Sequence, residues 1–181
     1  MLAIQKKMIQ MNTRSFLKKA KKKDKLTIGF QQAMHVGIIF SIADEKKHEE
    51  VKHFVNVLNR DDKKVEVMAF LGKGKENHEF KFDFFTEKDF TFTGDINGRS
   101  LISFTSKPFD YLINLDLKPN IFVENILARS KAKCRIGHFH DQNSNKFFEM
   151  MIRLNGHEPN LRRLYEQIYH YTKSVKNEGK L

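Results

Sequence analysis

Three groups of residues have side chains whose types and spacing could do chemistry. Ser41 and Asp44 follow the apolar run 36–40, and Asp116, Lys118 and Asn120 follow the apolar run 111–115. An aspartate just past a strand end can serve as a general base, so Asp44 is the candidate catalytic residue. Ser41, Asp116, Lys118 and Asn120 offer donors and acceptors to a ligand and form the candidate binding set. The third group is His138, His140 and Asp141, where alternate strand residues share a face and could grip one metal ion. A further well-spaced ligand cluster is missing, and no metal is assigned.

Two other patterns lose their chemistry on inspection. His48-Glu49 with His53 superficially matches a zinc-protease helix, but its histidines are five apart. Five residues turn a helix by about 500°, which leaves the two rings about 140° apart, whereas chelation needs a spacing of four. Cys134 lies between Lys133 and Arg135, neighbours that could lower a thiol pKa, but its place at a strand start suits a small core residue. Gly72-Lys73-Gly74 and the Ser41-Ile42-Ala43-Asp44 turn match neither the three-glycine dinucleotide fingerprint nor a P-loop, so no cofactor is assigned.

The elements that must position these residues alternate between strand and helix. Residues 36–40 are a continuous, β-branched run of the kind buried on both faces of a sheet. Val51, Phe54, Val55 and Leu58 then recur at helical spacing behind the acids Asp44 and Glu45. Residues 65–71 form the next strand, closed by Gly72-Lys73-Gly74. Phe80, Phe82 and Phe84 alternate with Lys81 and Asp83 as a half-buried strand or hairpin edge. Residues 86–98 fit neither period. In the second half, 111–115 reads as a strand and Pro119-Asn120 precedes a helix with Val123, Ile126 and Leu127 on one face. Residues 134–139 form another strand, and 147–154 a further one between the loop 142–145 and Asn155-Gly156. A final helix starts near Pro159, with Leu161, Leu164, Ile168, Tyr171 and Val175 as its apolar stripe. Strands and helices at this spacing imply βαβ units. The expected fold is a doubly wound, mainly parallel, Rossmann-like α/β sheet of five or six strands, with helices on both faces.

The 181 residues fit one domain, and 40 % apolar with 30 % charged residues fits neither a disordered nor a membrane-embedded chain. A single cysteine excludes a disulfide framework and is compatible with a reducing cytoplasm. Charge divides the chain. Residues 1–26 hold nine basic residues and one acid, net +8, while the remaining 24 basic and 21 acidic residues leave +3. The expected organisation is a basic helical arm, 1–26, ahead of one domain, 27–181. Lys18, Lys19, Lys21, Lys22, Lys23 and Lys25 are the candidate polyanion-binding residues, with nucleic acid or an anionic membrane surface as partner. The uncharged stretch 26–43 carries Gln31, Gln32 and His35 in its middle, which argues against a membrane span.

Three segments carry a resemblance. Residues 109–115, then Ala128-Arg129-Ser130-Lys131-Ala132, then Arg135-Ile136-Gly137-His138, resemble the strand-helix-strand passage in the N-terminal half of heptosyltransferase-type glycosyltransferases. That likeness implies sugar transfer and puts Asp44 where the family has a Gly-Asp pair whose aspartate can act as base. Ala43 stands in place of that glycine, and 181 residues leave no room for the half that binds the nucleotide-sugar. The chain as a whole resembles a small uncharacterised bacterial family with a basic N-terminal helix and one α/β domain. The expected function is a non-catalytic binding or interaction module, cytoplasmic, with a small anionic ligand or a protein as partner of the body. The alternative is a glycosyltransferase-like enzyme or half-enzyme.

Overall fold

The computed structural model describes residues 2–19, 28–75, 82–154 and 160–175. In chain order the elements are α1 (Leu2–Lys19), β1 (His35–Ser41), α2 (Glu45–Arg60), β2 (Lys64–Phe70), β3 (Asp83–Phe85), α3 (Arg99–Ser106), β4 (Tyr111–Asn114), α4 (Ile121–Arg129), β5 (Cys134–His138), β6 (Met150–Ile152) and α5 (Leu161–Ser174). The six strands lie in the order β3-β2-β1-β4-β5-β6, and every pairing is parallel. This is a doubly wound α/β sheet, in the order of dinucleotide-binding folds.

The two-residue period of the strands sorts the core into two layers. Ile38, Phe40 and Ile113 point to one face, where they meet Val51, Phe54 and Leu58 of α2 and Leu164, Tyr165 and Ile168 of α5. Ile39, Met68 and Leu112 point to the other, against Leu101 and Phe104 of α3 and Phe122, Val123 and Ile126 of α4. The stripe of α5 departs from the expected one near its end, where Val175 lies past the last helical residue and is only half-buried, and Thr172 is buried. Tyr171 falls at its edge and is 49 % exposed, while Tyr165 is buried and stacks on Phe54 with ring centroids 5.0 Å apart.

Several boundaries move. The strand expected from Phe80 is β3, in which Phe84 is exposed and Phe85 is buried, because pairing with β2 runs only over Asp83, Phe84 and Phe85. Phe80 lies outside the described residues, as does Pro159; α5 instead takes Asn160 as its cap. The loop 142–145 is a 3-10 turn capped by Asp141. Residues 86–98 include a short 3-10 turn with a Thr86–Asp89 capping box and a Phe90–Ile96 bridge. Helix α3 was not anticipated by the periodicity.

Helix α1, the described part of the basic segment, packs on α4 rather than standing apart. Ile9 is 0 % exposed and belongs to the second core layer. The Thr13 hydroxyl accepts from Asn125 Nδ2 at 3.0 Å, Asn125 Oδ1 accepts from Arg129 Nε at 2.8 Å, and the Arg129 guanidinium lies 4.1 Å over the Phe16 ring. Arg129 also donates to the Gly94 carbonyl at 2.8 Å. Gly94 has φ +86, and a Cβ there would sit 2.9 Å from Ile9 Cα, so the close approach of this turn to α1 requires glycine.

At the amino end of the sheet, Asp110 ties the start of β1 to β5. Its carboxylate accepts from Met34 N at 2.8 Å, His35 N at 2.9 Å and Lys133 Nζ at 2.7 Å. Burial pushes its pKa up, but the His35 amide, the Lys133 ammonium and the Met34 amide outweigh it and hold the group below 3.8. A folded-state value below the unfolded one stabilises the fold above pH 3.8, and that contribution is lost as pH falls through the folded value. Asp110→Asn is therefore expected to cost about 1–3 kcal/mol at neutral pH. It should also flatten the fall in melting temperature below pH 4, read by thermal melts across acid buffers. An unchanged acid slope would contradict this role.

Candidate functional site at the strand-order reversal

From β1 the chain proceeds outward through β2 and β3, then returns to lay β4 on the other side of β1. The connections leaving β1 and β4 therefore diverge, and a crevice opens beyond their carboxyl ends. A cleft of about 780 Å³ occupies that place, lined among others by Ser41, Asp44, Asp116, Lys118 and Asn120. The structure thus brings all five residues singled out in the sequence to one cleft.

Three of them form a single hydrogen-bonded unit. Asp116 is 3 % exposed and accepts from Ser41 N at 2.8 Å, Ser41 Oγ at 2.7 Å and Lys47 Nζ at 2.6 Å. The Ser41 hydroxyl accepts from Asn120 Nδ2 at 2.9 Å, and Asn120 Oδ1 accepts from Phe122 N at 2.9 Å, capping α4. Asn114 Oδ1 receives Asp116 N at 3.1 Å and fixes the turn. This unit locks the ends of β1 and β4 to the start of α4. Sequence reasoning missed Lys47; it lies three residues beyond Asp44, one turn into α2, from where its amine reaches back to Asp116.

Asp44 is exposed, and its Oδ1 accepts from Lys47 N at 2.8 Å as the cap of α2. Lys118 and Lys46 line the cleft, are exposed, and have no hydrogen-bond or ion-pair partner among the described residues. Arg162, the second residue of α5, stands 3.7 Å from Glu50. The starts of α2, α4 and α5 all meet this cleft, each capped by its own side chain (Asp44, Asn120 and Asn160), and helix starts carry partial positive charge. The lining holds no histidine or cysteine among the described residues, and the Ser41 hydroxyl is engaged on both sides. The arrangement suits holding an anion better than activating a nucleophile.

The remaining candidates lie elsewhere. His138 and His140 approach with Nδ1 atoms 3.2 Å apart, and burial holds both pKa values below 6.5. No group of three or more metal-binding side chains occurs among the described residues. His48 is buried against the Phe82 ring at 4.8 Å, whereas His53 is exposed beside Tyr165. Burial, with Glu149 nearby, pushes the Cys134 thiol up to about 12. The flanking cations do not activate it: Lys133 is paired with Asp110, and Arg135 with Glu149. Lys18 and Lys19 are exposed at the end of α1, and Lys21, Lys22, Lys23 and Lys25 lie outside the described residues. Among the described residues, no helix is long and apolar enough to cross a membrane.

No curated protein and no solved structure matches the chain, so the expected resemblance to heptosyltransferase-type enzymes is not shown. A family model does match, over residues 5–175, and so spans α1, the whole sheet and the cleft. On that match the chain belongs to DUF6913, a family of unknown function.

Proposed function

We propose that this protein is a non-catalytic binding module whose cleft at the strand-order reversal holds a small phosphate-bearing anion. Its basic N-terminal segment attracts a polyanion, either nucleic acid or an anionic membrane surface. The observation that carries this reading is the convergence on one cleft of three helix starts and of two lysines, Lys46 and Lys118, that have no partner among the described residues. The exposed Lys6, Lys7, Arg14, Lys18 and Lys19 of α1 support the second part. A reducing bacterial cytoplasm is its proposed setting, supported by the single, buried cysteine.

Inorganic pyrophosphate is a suitable probe, because it carries the charge without a base or sugar. It is expected to bind the wild-type chain saturably in calorimetry. Lys46→Glu with Lys118→Glu should weaken that binding roughly tenfold or more. Both side chains are exposed and have no partner among the described residues, so the melting temperature should stay within a degree or two of wild type, about the ±0.5 kcal/mol of an ordinary surface change. Pyrophosphate binding the double variant as tightly as wild type would overturn the assignment.

A further inference from the structure

A second pocket, of about 330 Å³, lies on the other side of the Pro119-Asn120 turn from the cleft, and α1 forms one of its walls. Arg14 and Leu17 line it from α1, Asn114 from the end of β4, Glu124 from α4, and His140 from beyond β5. Its volume is at the small end of ligand pockets, which run from about 300 to 1,000 Å³.

A half-buried carboxylate, Glu124, and an exposed guanidinium, Arg14, line this pocket. The Glu124 carboxylate and the Arg14 guanidinium have no hydrogen-bond or ion-pair partner among the described residues and do not pair with each other. The other cation in the lining, Lys146, donates to Asn143 Oδ1 at 2.8 Å. His140 supplies no compensating charge at neutral pH, because burial holds its pKa below 6.5 against the upward pull of Asp141 and Asp116. Burial and the neighbouring Asp141 carboxylate push Glu124 above its ordinary value, as expected of a half-buried acid with no cation beside it. Asn114 is 5 % exposed, and only its Oδ1 is engaged; its amide nitrogen meets no acceptor among the described residues. A half-buried acid and a cation left apart across one small pocket are complementary to a molecule that carries both opposite charges.

We propose that this pocket binds a small zwitterion of the α-amino acid class, its ammonium group meeting Glu124 and its carboxylate meeting Arg14. The Asn114 amide is placed as a further donor to that carboxylate. This site is separate from the anion cleft and uses neither Lys46 nor Lys118.

The test is calorimetry and thermal melting of the full chain with the standard L-amino acids taken singly. Propionate and propylamine, each carrying one of the two charges, are the controls. At least one amino acid should bind saturably and raise the melting temperature, with both controls much weaker. Glu124→Gln and Arg14→Gln should each weaken that binding about tenfold to a hundredfold, the range for one charge-assisted hydrogen bond. Neither side chain has a partner to lose among the described residues, so both variants should melt like wild type without ligand, and a variant that fails to fold contradicts the assignment. Absence of binding by every amino acid, equal binding by either control, or wild-type affinity in either variant would overturn it. Lys46→Glu with Lys118→Glu should leave amino acid binding intact, which separates failure here from failure of the anion cleft.

Discussion

Replacing Asp116 with alanine is expected to cost about 3–5 kcal/mol of folding stability. The carboxylate is buried and accepts three hydrogen bonds, two from Ser41 and one from Lys47, whose side chain is itself only 16 % exposed. Alanine strands the ammonium in a poorly hydrated place and leaves the Ser41 amide without its acceptor. It also frees the ends of β1 and β4, so pyrophosphate affinity should fall along with stability. Asp116→Asn keeps one acceptor oxygen but turns its NH₂ toward a donor, and should lose an intermediate amount. Urea unfolding of both variants measures the cost. A loss under 1 kcal/mol for the alanine variant would mean that Asp116 is not the staple of the cleft.

Removing α1 is expected to have an effect of the same order or larger. Ile9→Ala alone should cost about 2–5 kcal/mol, because its side chain is wholly buried and its truncation leaves a cavity in the second core layer. Deleting residues 1–19 removes Ile9, the Thr13 link to Asn125 and the Phe16 ring beneath Arg129 together. The shortened chain should melt far below wild type or aggregate through its exposed apolar layer. The net charge of the segment suggests the opposite, an arm that can be cut away with little change in melting temperature. Equal melting temperatures for the cut and full chains would restore that picture. Charge changes at the exposed Lys18 and Lys19, rather than truncation, therefore isolate any attraction for polyanions.

How far the sequence discloses the molecule depends on how much each element buries. Residues 36–40 and 111–115 are read directly, since strands covered on both faces are unbroken apolar runs. Helices α2 and α4 are read from one apolar stripe each and from the caps Asp44 and Asn120. Helix α1 is harder, because among its described side chains only Ile9 and Thr13 are buried, amid exposed lysines that dominate any average. Strand β3 is obscured by its brevity and by Phe84 facing outward.

Of the cleft, Ser41, Asp44, Asp116, Lys118 and Asn120 follow from the rule that ligands sit beyond strand ends, because that rule needs only the strand positions. Lys47 does not, because nothing in a lysine-rich helix marks which amine turns back to a carboxylate 69 residues away. Arg14 and Glu124 escape for a related reason: their shared pocket exists only once α1 is docked on α4.

The most direct test of the cleft is a pyrophosphate titration of the labelled full chain, followed by backbone amide shifts. Saturable shifts are expected at residues 41–47, 116–123 and 160–163, with the exposed lysines of α1 unmoved at concentrations that fill the site. Shifts that never saturate, or that gather on α1 while the cleft stays silent, would contradict the cleft assignment.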